Sequence, residues 1–308
     1  MARRLISSAT GAKIQVWPGQ FIQATINKAS PGDTIVVERG TYTEQLTIDK
    51  DGIALVGHGA ILVPPSSAAS NLCSGLAGDN TQAGICVTGY DVVLAPFLSE
   101  HRKVISVGKP VKGVSINRFQ INNFSGQNVA IVGGQDVSVT RNDLTNGGQY
   151  GLLSDGSKNT IVSTNHISGY IIALCIQTPA ADVVKNDVRN CCIGAFVDPF
   201  IDDAKIHDNP SNPTCPPGSV FGIIISGAVN TDVQHNIIKG KTNGGFTAGF
   251  AIFDDQSTGT LAIASGNNVV KNIFRDNTLD LFVDTEGTGN VIEHNICSTP
   301  EELYAKHK

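Results

Sequence analysis

A recurring acidic or amide side chain marks the positions at which this 308-residue chain could do chemistry. Between residues 128 and 285 one short apolar phrase returns about every 22 residues and then about every 28. A polar residue follows each copy, which gives the series Asp155, Gln177, Asp198, Ser226, Asp255 and Asp284. Carboxylates gathered in this way can bind Ca²⁺ or exchange protons with a substrate. The repeat therefore predicts a column of polar groups on one face of the protein.

The elements that must position this column are short strands. The apolar phrase reads Val-Ala-Ile-Val at 129–132 and Gly-Leu-Leu-Ser at 151–154, and a second phrase ending in Asn follows each copy. Units this short and this rich in β-branched residues cannot hold a crossover helix, so their strands must pair with those of neighbouring repeats. Asn at a repeated corner suits stacking because amides can hydrogen-bond along a ladder. The sequence predicts an all-β fold, a single-stranded right-handed parallel β-helix.

Stacked repeats of this size form one elongated domain, which we expect to cover residues 1–308. Helical spacing of apolar residues between 20 and 29 predicts an N-terminal capping helix that shields the open end. The N-terminal cap then comprises residues 1–33, and the coils run from 34 to 297. Residues 298–308 form a polar C-terminal tail that either frays or folds back over a face.

Two apolar columns flank the polar column if the strands alternate between interior and exterior. With Leu152 and Leu174 pointing inward, the first outward column reads Leu153, Cys175, Phe196, Ile224, Phe253 and Phe282. The second outward column reads Tyr150, Ile172, Ile193, Phe221, Phe250 and Leu279. An outward apolar strip of this length indicates a binding groove, and the alternative is that a loop or the tail covers it as additional core. A one-residue register shift would turn the columns inward, but it would also bury the acids without partners.

Carbohydrate cleavage is the first activity to weigh against these columns. The chain resembles inverting polygalacturonases only at short motifs: Asn230-Thr231-Asp232, Asp254-Asp255 and Gly57-His58-Gly59. The last motif lies far upstream, and the Arg-x-Lys motif of those enzymes is missing. A pectate-lyase-like reaction needs an Arg to accept the proton, and no Arg falls in either apolar column. A groove lined by Phe, Leu and Ile fits a small apolar substrate better.

Cyclisation of such a substrate needs pre-organised reacting ends and one donor that polarises a carbonyl, without an acid–base pair. The candidate catalytic residues are His101, Arg102, Tyr150, Gln177 and Asp255. The candidate substrate-binding residues are Leu153, Phe196, Asp198, Phe221, Ile224, Phe250, Phe253, Phe282 and Asp284. His101 and Arg102 belong to an excursion at 96–103, whose charges are also explained as a solvated cluster. We expect neither a metal nor an organic cofactor.

The cysteines favour an oxidising compartment, because seven are many for a cytosolic chain. Cys73 and Cys86 bracket a Gly-rich excursion that a disulfide could close. A second bridge is expected among Cys191, Cys192 and Cys215. The first residues lack a hydrophobic signal region, so we interpret the start as a mature terminus with an added Met and predict a secreted or secretory-pathway protein.

Composition argues against two classes of partner. The formal net charge is −5 and no basic run stands out, so we expect no nucleic acid partner. No apolar run reaches the length of a membrane span, so we expect no membrane partner. A homodimer through the C-terminal tail stays open as an arrangement.

Several phrases resemble those of small secreted-type fungal right-handed β-helix proteins with a pectin-lyase-like fold. They are Ser30-Pro-Gly-Asp-Thr-Ile-Val-Val, Gly40-Thr-Tyr, Cys73-Ser-Gly-Leu with Gly84-Ile-Cys86, Glu100-His-Arg-Lys-Val, Gln177-Thr-Pro-Ala-Ala-Asp, and Cys191-Cys-Ile-Gly-Ala-Phe-Val-Asp-Pro199. Some proteins of this group are hetero-Diels–Alderases that join a tropolone-derived quinone-methide-like diene to an alkene of a humulene-type terpenoid. The resemblance implies that activity here. The alternatives are a polysaccharide lyase or hydrolase and a non-catalytic cell-wall-binding β-helix.

Overall fold

A computed structural model of the protein describes residues 11–98, 100–198, 205–207, 211–212, 220–242, 246–257 and 259–299. Its first elements are β1 (Lys13–Val16), α1 (Ile22–Lys28), β2 (Thr34–Thr43), β3 (Leu46–Ile48), β4 (Ala54–Val63), β5 (Ala83–Thr88), β6 (Tyr90–Leu94), β7 (Val104–Lys109), β8 (Val111–Lys112), β9 (Ser115–Asn117) and β10 (Gln120–Asn122). The central coils contain β11 (Gln127–Val132), β12 (Gly134–Gln135), β13 (Ser138–Thr140), β14 (Asp143–Thr145), β15 (Tyr150–Asp155), β16 (Ile161–Ser163), β17 (His166–Ser168), β18 (Ile172–Gln177), β19 (Asp182–Val184), β20 (Asp187–Arg189) and β21 (Ile193–Val197). The last elements are β22 (Lys205–His207), β23 (Ser211–Asn212), β24 (Val220–Ser226), β25 (Asp232–Gln234), β26 (Ile237–Lys239), β27 (Thr247–Phe253), β28 (Asn268–Val270), β29 (Ile273–Arg275), β30 (Leu281–Asp284) and β31 (Val291–Glu293).

These strands stack into the predicted right-handed parallel β-helix, so the fold prediction is confirmed. Sheet A holds 18 strands, and sheet B holds β3, β5, β11, β15, β18, β21, β24, β27 and β30 in that order. Pairing in both sheets is parallel and joins each coil to the next: Leu152 lies between Val129 and Leu174. The departure from this scheme is the antiparallel hairpin of β6 and β7, which leaves the coil between β5 and β8.

The predicted capping helix is α1, which begins two residues later than its apolar pattern suggested. Ile22 and Ile26 are its buried residues and face the first coil. The Glu44 carboxylate accepts the backbone N–H groups of Ile22 at 2.8 Å and Gln23 at 3.0 Å, which satisfies orphan donors of the first turn. At the other end Lys50 Nζ donates to the Ile26, Asn27 and Ala29 carbonyls. Residues 300–308 of the predicted tail, and hence the dimer suggested for it, lie outside the described residues.

A ladder of buried asparagines stabilises one corner of the coils, as the second phrase predicted. Asn142 Oδ1 accepts the Phe119 backbone N–H at 3.0 Å, and the Asn142 N–H donates to Asn165 Oδ1 at 2.9 Å. The Asn165 N–H donates in turn to Asn186 Oδ1 at 3.0 Å. Each amide thereby pairs a backbone N–H that a sharp bend would otherwise leave unsatisfied. The residue before each ladder asparagine has a left-handed backbone, as at Arg141 with φ 57°.

The apolar residues form two clusters separated by sheet B. The interior cluster fills the coils, with residues such as Leu152, Leu174 and Ile223 inside. A second cluster lies on the outward face of sheet B and contains Tyr150 and Leu153. Part of the predicted apolar strip is therefore covered, as the alternative interpretation of the sequence anticipated.

Disulfides agree with the cysteine pattern. Cys73 and Cys86 are bonded, so that predicted bridge is confirmed. Cys192 also belongs to a disulfide. Cys175 and Cys191 are buried free thiols, and Cys215 lies outside the described residues.

Candidate functional site

The outward face of sheet B carries the columns that the sequence predicted, with one correction. Leu153, Cys175, Phe196, Ile224 and Phe282 share one column, in which the residue between Ile224 and Phe282 is Ala251 and not Phe253. Phe253 still faces outward, but it lies beside Ser226 and Asp284 in the polar column. This column also contains Asp155 and Gln177.

Phe250 was predicted to face outward, and this prediction is wrong. Phe250 pairs with Ile223 and Leu281 and is fully buried in the interior cluster. Its predicted outward slot, beside Phe221, is filled by Ala248. The predicted columns matched Phe250 with Phe221 and Phe253 with Ile224, whereas Phe221 pairs with Ala248 and Ile224 with Ala251. The repeat in β27 therefore lies two residues away from the predicted register, which misplaced both phenylalanines.

Two segments cover the first half of the outward face. The disulfide-closed segment places Cys73 and Leu76 on Leu153 and Tyr150, and the hairpin adds Val92, Leu94 and Val104 as partly buried neighbours. The connection between β6 and β7, residues 95–103, continues across the polar column and is called the strap. Its ends are held by the Arg102 N–H donating to the Leu76 carbonyl at 2.8 Å and the Ala95 N–H donating to the Lys103 carbonyl at 2.8 Å.

The strap inserts His101 into the polar column, where three predicted catalytic residues meet. His101 Nε2 lies 2.9 Å from Gln177 Oε1, and His101 Nδ1 lies 3.3 Å from the Tyr150 hydroxyl. Because the amide oxygen can only accept, Nε2 carries a hydrogen, and Nδ1 accepts from the hydroxyl when the ring is neutral. Asp155 Oδ2 lies 3.8 Å from Nε2 and accepts the Val104 backbone N–H at 2.7 Å. His101, Tyr150 and Gln177, three of the predicted catalytic residues, therefore lie together on the outward face of sheet B.

Asp198 connects this cluster to the second half of the face. Its carboxylate accepts the Gln177 amide, the Cys175 thiol at 3.3 Å and the Lys103 ammonium at 3.1 Å. Asp198 is buried, whereas about a third of the Lys103 side chain is exposed at 36%. Lys103 is therefore a charged donor whose ammonium is held at the edge of the cluster, where it also reaches solvent.

Burial and like charges shift several pKa values in this region. Burial first, and then the Asp198 charge, raise the pKa of Glu100. Burial raises the pKa of the Cys175 thiol well above its usual value, and the Asp198 charge adds to this shift. Burial also raises the pKa of Tyr150, so its hydroxyl stays protonated. For Lys103, burial lowers the pKa, but Asp198, Cys175 and Glu100 outweigh it and the net pKa rises. The site thus combines a neutral thiol, a neutral phenol and a firmly charged ammonium at neutral pH.

Two predicted catalytic residues lie outside the cluster. Arg102 Nε donates to the Ala95 carbonyl at 2.9 Å, so this guanidinium closes the strap on itself. Asp255 follows the end of β27 and accepts the Ser257 hydroxyl at 2.7 Å and its N–H at 3.2 Å in a turn. The Asp255 charge contributes to the raised pKa of Glu100, but the carboxylate has no place in the polar column. Asp255 was selected from the spacing of the repeat, which does not show where a strand ends, and Arg102 was selected as a possible donor in the excursion at 96–103.

Aromatic side chains line the second half of the face, which the strap and the disulfide segment leave less covered. We call Phe196, Phe221, Phe246, Phe253 and Phe282 the aromatic wall. Phe246 packs edge-on against Phe221 with ring centroids 5.3 Å apart and against Phe282 at 4.6 Å. Phe246 is 48% exposed, and Phe253 and Phe282 are partly exposed, whereas Phe196 and Phe221 are buried. Leu153 and Ile224, also predicted to bind substrate, are buried beside them. Asp284 lies at the end of β30, next to Phe253.

One group of potential metal ligands occurs among the described residues. His101, Cys175 and Asp198 each offer a ligand atom, and these atoms lie within 4.8 Å of one another. Nitrogen, sulfur and oxygen donors of this kind suit Zn²⁺. Asp198 already accepts three donors, so a cation here would compete with Lys103 for the carboxylate. The donor set can hold a metal only if this ion pair opens.

Comparison with known proteins establishes the fold alone. No protein-family profile and no curated protein sequence matches the chain. A DFA-IIIase from Arthrobacter chlorophenolicus A6, solved without its lid in complex with GF2, is 12% identical with a TM-score of 0.57 and covers 94% of this chain and 90% of its own. The Dettilon tailspike protein gp208 is 14% identical with a TM-score of 0.52, covering 94% of this chain and 69% of its own.

A third similar structure is the Azotobacter vinelandii mannuronan C-5 epimerase AlgE6 A-module. It is 12% identical with a TM-score of 0.48 and covers 91% of this chain and 95% of its own. All three are similar to this chain in being right-handed parallel β-helices of the pectin-lyase-like type. None of the helices in the described part of the chain has the length and apolar character needed to cross a membrane.

Three functional candidates were missed by the sequence. Lys103 and Glu100 were visible in the phrase Glu100-His-Arg-Lys, but nothing in the spacing favoured them over Arg102. Phe246 precedes β27 and falls outside the repeated phrase. Phe246 could have been selected because it is an aromatic residue just before β27, and the strands next to β27 carry outward-facing aromatic residues.

Proposed function

We propose that the protein is a hetero-Diels–Alderase that joins a tropolone-derived quinone-methide-like diene to an alkene of a humulene-type terpenoid. The observation that carries the proposal is the adjacency of the aromatic wall to one charged donor. Phe196 and Asp198 lie two residues apart on the outward face, and Asp198 holds Lys103 Nζ at 3.1 Å. Phe246, Phe253 and Phe282 offer partly exposed apolar surface further along the same face. The sequence resemblance to fungal β-helix proteins supports the same reaction.

The reaction would use the wall for orientation and Lys103 for polarisation. In the cycloaddition the carbonyl oxygen and the terminal carbon of the diene form one C–O and one C–C bond to the alkene, and no atom leaves. The wall would hold both apolar partners together, which converts an encounter in solution into a unimolecular step. The Lys103 ammonium would donate to the carbonyl oxygen and draw electron density out of the diene. His101, Tyr150 and Gln177 would hold the strap, and hence Lys103, in place.

The most direct test is incubation of the purified protein with the tropolone and terpenoid pair. We expect a higher yield and a narrower stereochemical distribution than in the spontaneous reaction. Lys103→Met should lower the rate by about 10²-fold, the usual effect of losing one donor at a developing negative charge. Lys109→Met, on the hairpin, is the matched control and should leave the rate unchanged. Equal yield and stereochemistry with and without protein would remove the proposal.

A second candidate is hydrolysis or lysis of a glycan, and the Glu100–Asp198 pair favours it. Burial and the Asp198 charge raise the pKa of Glu100, whereas the Asp198 carboxylate is paired with the Lys103 ammonium at 3.1 Å. A protonated carboxylic acid beside an ionised carboxylate is the arrangement that glycosidases use. The DFA-IIIase with a similar fold, which was solved in complex with GF2, is consistent with this candidate.

One variant separates the two candidates. Glu100→Gln keeps the size and hydrogen-bonding capacity of the side chain but removes its acid. If the protein acts on glycans, release of reducing or unsaturated ends from fructan, alginate or polygalacturonate should occur with the native protein and disappear with Glu100→Gln. If the protein is a cyclase, the variant should retain cycloaddition and none of these glycans should be cleaved. Secretion belongs to both proposals and is supported by the disulfides.

A further inference from the structure

Left-handed backbone bends recur at three corners of each coil, and two corners use the residues expected there. The first corner contains Gly113, Asp136, Asn159, Ala180, Asn230, Gly266 and Gly289. The second contains Asn123, Asn146, Gly169, Asn190, Gly240 and Asp276. Gly, Asn and Asp adopt this conformation with the least strain. Apart from Ala180, the backbone alone explains the residue types at these two corners.

The third corner, just before the asparagine ladder, is occupied differently. Its left-handed residues are Arg118, Arg141, Thr164, Lys185, His235, Lys271 and His294, which we call the basic column. His is enriched in the left-handed region, but Arg, Lys and Thr are not, and β-branched Thr164 is especially strained there. The bend geometry is the same at all seven, with φ between 56° and 61°. Backbone requirements therefore do not explain the arginines and lysines of the column, which points to a role for their side chains.

The basic column is an exposed row of positive charge on a protein with net charge −5. Stacked coils place adjacent members of the column about 4.8 Å apart. Within the described residues Arg118, Arg141, Lys185 and Lys271 make no ion pair. Their backbones are fixed by the buried ladder beside them, so the charges project from a rigid edge. Arg118 and Arg141 lie on adjacent coils, and Lys185 follows two coils further on, beyond Thr164. Unpaired cations along one edge in this way are suited to a polymer that carries anions at regular intervals.

A depression of about 430 Å³ between two of these arginines adds neutral hydrogen-bonding groups. Its lining includes Arg118, Arg141, Gln120, Thr164 and His166. Asp143 also lines it, and its buried Oδ1 atom has no hydrogen-bond donor within the described residues. The lining thus offers partners for both the carboxylates and the hydroxyls of an acidic sugar.

We propose that the basic column binds an acidic polysaccharide lying parallel to the axis of the coils, independently of the reaction proposed for sheet B. Arg118 and Arg141 hold carboxylates, and the exposed Gln120 and Thr164 side chains hydrogen-bond to sugar hydroxyls. A nucleic acid fits less well, because the lining of the depression contains no exposed aromatic side chain on which a base could stack. The column lies on sheet A, so bound polysaccharide leaves the aromatic wall accessible.

The test replaces residues of the basic column by asparagine, which removes the positive charge and readily adopts the left-handed backbone conformation. Arg118→Asn, Arg141→Asn and Lys185→Asn are combined in one variant of the full chain. Its matched control combines Lys13→Asn, Lys28→Asn and Lys158→Asn, three exposed lysines away from the column. Binding of polygalacturonate is measured at low salt by calorimetry, with dextran as the neutral polymer and poly(dT) as the nucleic acid. Thermal unfolding of both variants is measured alongside.

We expect native protein and control variant to bind polygalacturonate alike, dextran not to bind, and added salt to weaken binding. The column variant should bind about tenfold more weakly, with an unfolding temperature equal to or above that of the native protein, because asparagine relieves strain. Equal weakening in both triple variants, preference for poly(dT), or no binding of polygalacturonate to native protein would each overturn the proposal.

Discussion

The outward face of sheet B is built from one repeated strand, yet its two halves differ in what lies over them. Across β11, β15 and β18 the strap and the disulfide segment convert the face into a second core, and Tyr150 and Leu153 are fully buried. Across β24, β27 and β30 the same columns carry partly exposed Phe253 and Phe282. The repeat therefore supplies an apolar face everywhere, and the insertions decide which part of it stays available to a substrate.

Charge is distributed in the same uneven way. The covered half pairs its polar groups internally, with His101 between Tyr150 and Gln177. At the boundary the Lys103–Asp198 pair is the point where a buried network meets an accessible donor. A substrate on the aromatic wall would meet this donor without disturbing the buried half. The comparison predicts that substitutions in the covered half lower the free energy of unfolding strongly, and that substitutions in the open half lower it little.

The largest effect should follow removal of the disulfide that holds the cover. Cys73→Ser combined with Cys86→Ser should lower the free energy of unfolding by about 3 kcal/mol, since the bridge closes a short loop in the unfolded chain. Denaturant unfolding measures the change. Cys297→Ser, which leaves this bridge intact, is the control and should cost less. A double variant as stable as the native protein would show that the covering segment is held by its packing alone.

A smaller loss is expected from breaking the network under the strap. His101→Ala leaves the buried Tyr150 hydroxyl and Gln177 amide without their partner and should cost about 2 kcal/mol. His58→Ala serves as control, because the His58 side chain is 44% exposed and its nearest charged partner, Glu38, lies 3.6 Å away. Unfolding of both variants under identical conditions gives the comparison. Equal, small losses would mean that the network contributes little to holding the strap.

On the open side, truncation of the wall should change stability least. Phe246→Ala removes a side chain that is 48% exposed and should cost about 1 kcal/mol or less. Phe274→Ala, in the interior, is the buried comparison and should cost about 3–5 kcal/mol. If Phe246→Ala proved as costly as Phe274→Ala, Phe246 would be part of the core and the wall would not be open.

The pH dependence should reveal the boundary between the halves. The pKa of Glu100 is raised above its ordinary value of 4.5, so folded protein holds this proton more tightly than unfolded protein. Its contribution to stability is complete below pH 4.5 and is lost as pH rises through the raised pKa. Glu100→Gln should therefore flatten the stability profile above pH 4.5. If the dependence of stability on pH were the same in Glu100→Gln and the native protein, the Glu100 carboxyl would be as solvated in the folded protein as in the unfolded chain. The effect is modest because the side chain is 40% exposed.

The fold was predictable because the repeat encodes it redundantly. Each copy of the apolar phrase and each ladder asparagine gives the same information, so an error in one coil does not affect the rest. The outward positions of Leu153 and Phe196 followed from alternation with Leu152 and Ala195. Phe250 was misplaced because the repeat in β27 lies two residues away from the register that the apolar phrases suggested, so that Phe250 pairs with inward-facing Ile223.

The candidate site was less predictable, because it depends on an insertion. His101 was selected as a donor from its residue type, but its path across the face to Gln177 depends on how the strap closes. Arg102 and Lys103 are adjacent in sequence, yet one turns back to Ala95 and the other reaches Asp198. Short-range patterns do not distinguish these outcomes. The residues of the basic column can be read in the sequence just before the ladder asparagines. Only the left-handed backbone at these positions shows that cations are unexpected there.

The asparagine ladder also bears on how such a chain can change length. Each amide serves the coil before it: Asn165 Nδ2 donates to the Val139 carbonyl, and Asn186 Nδ2 donates to the Val162 carbonyl. After duplication or deletion of one whole turn, every ladder asparagine would again meet an identical hydrogen-bond partner. Insertion or deletion of a partial turn would instead leave two of these hydrogen bonds unformed. Evolution can therefore lengthen or shorten this protein in whole turns and embellish it between them, as the hairpin and strap between β5 and β8 illustrate.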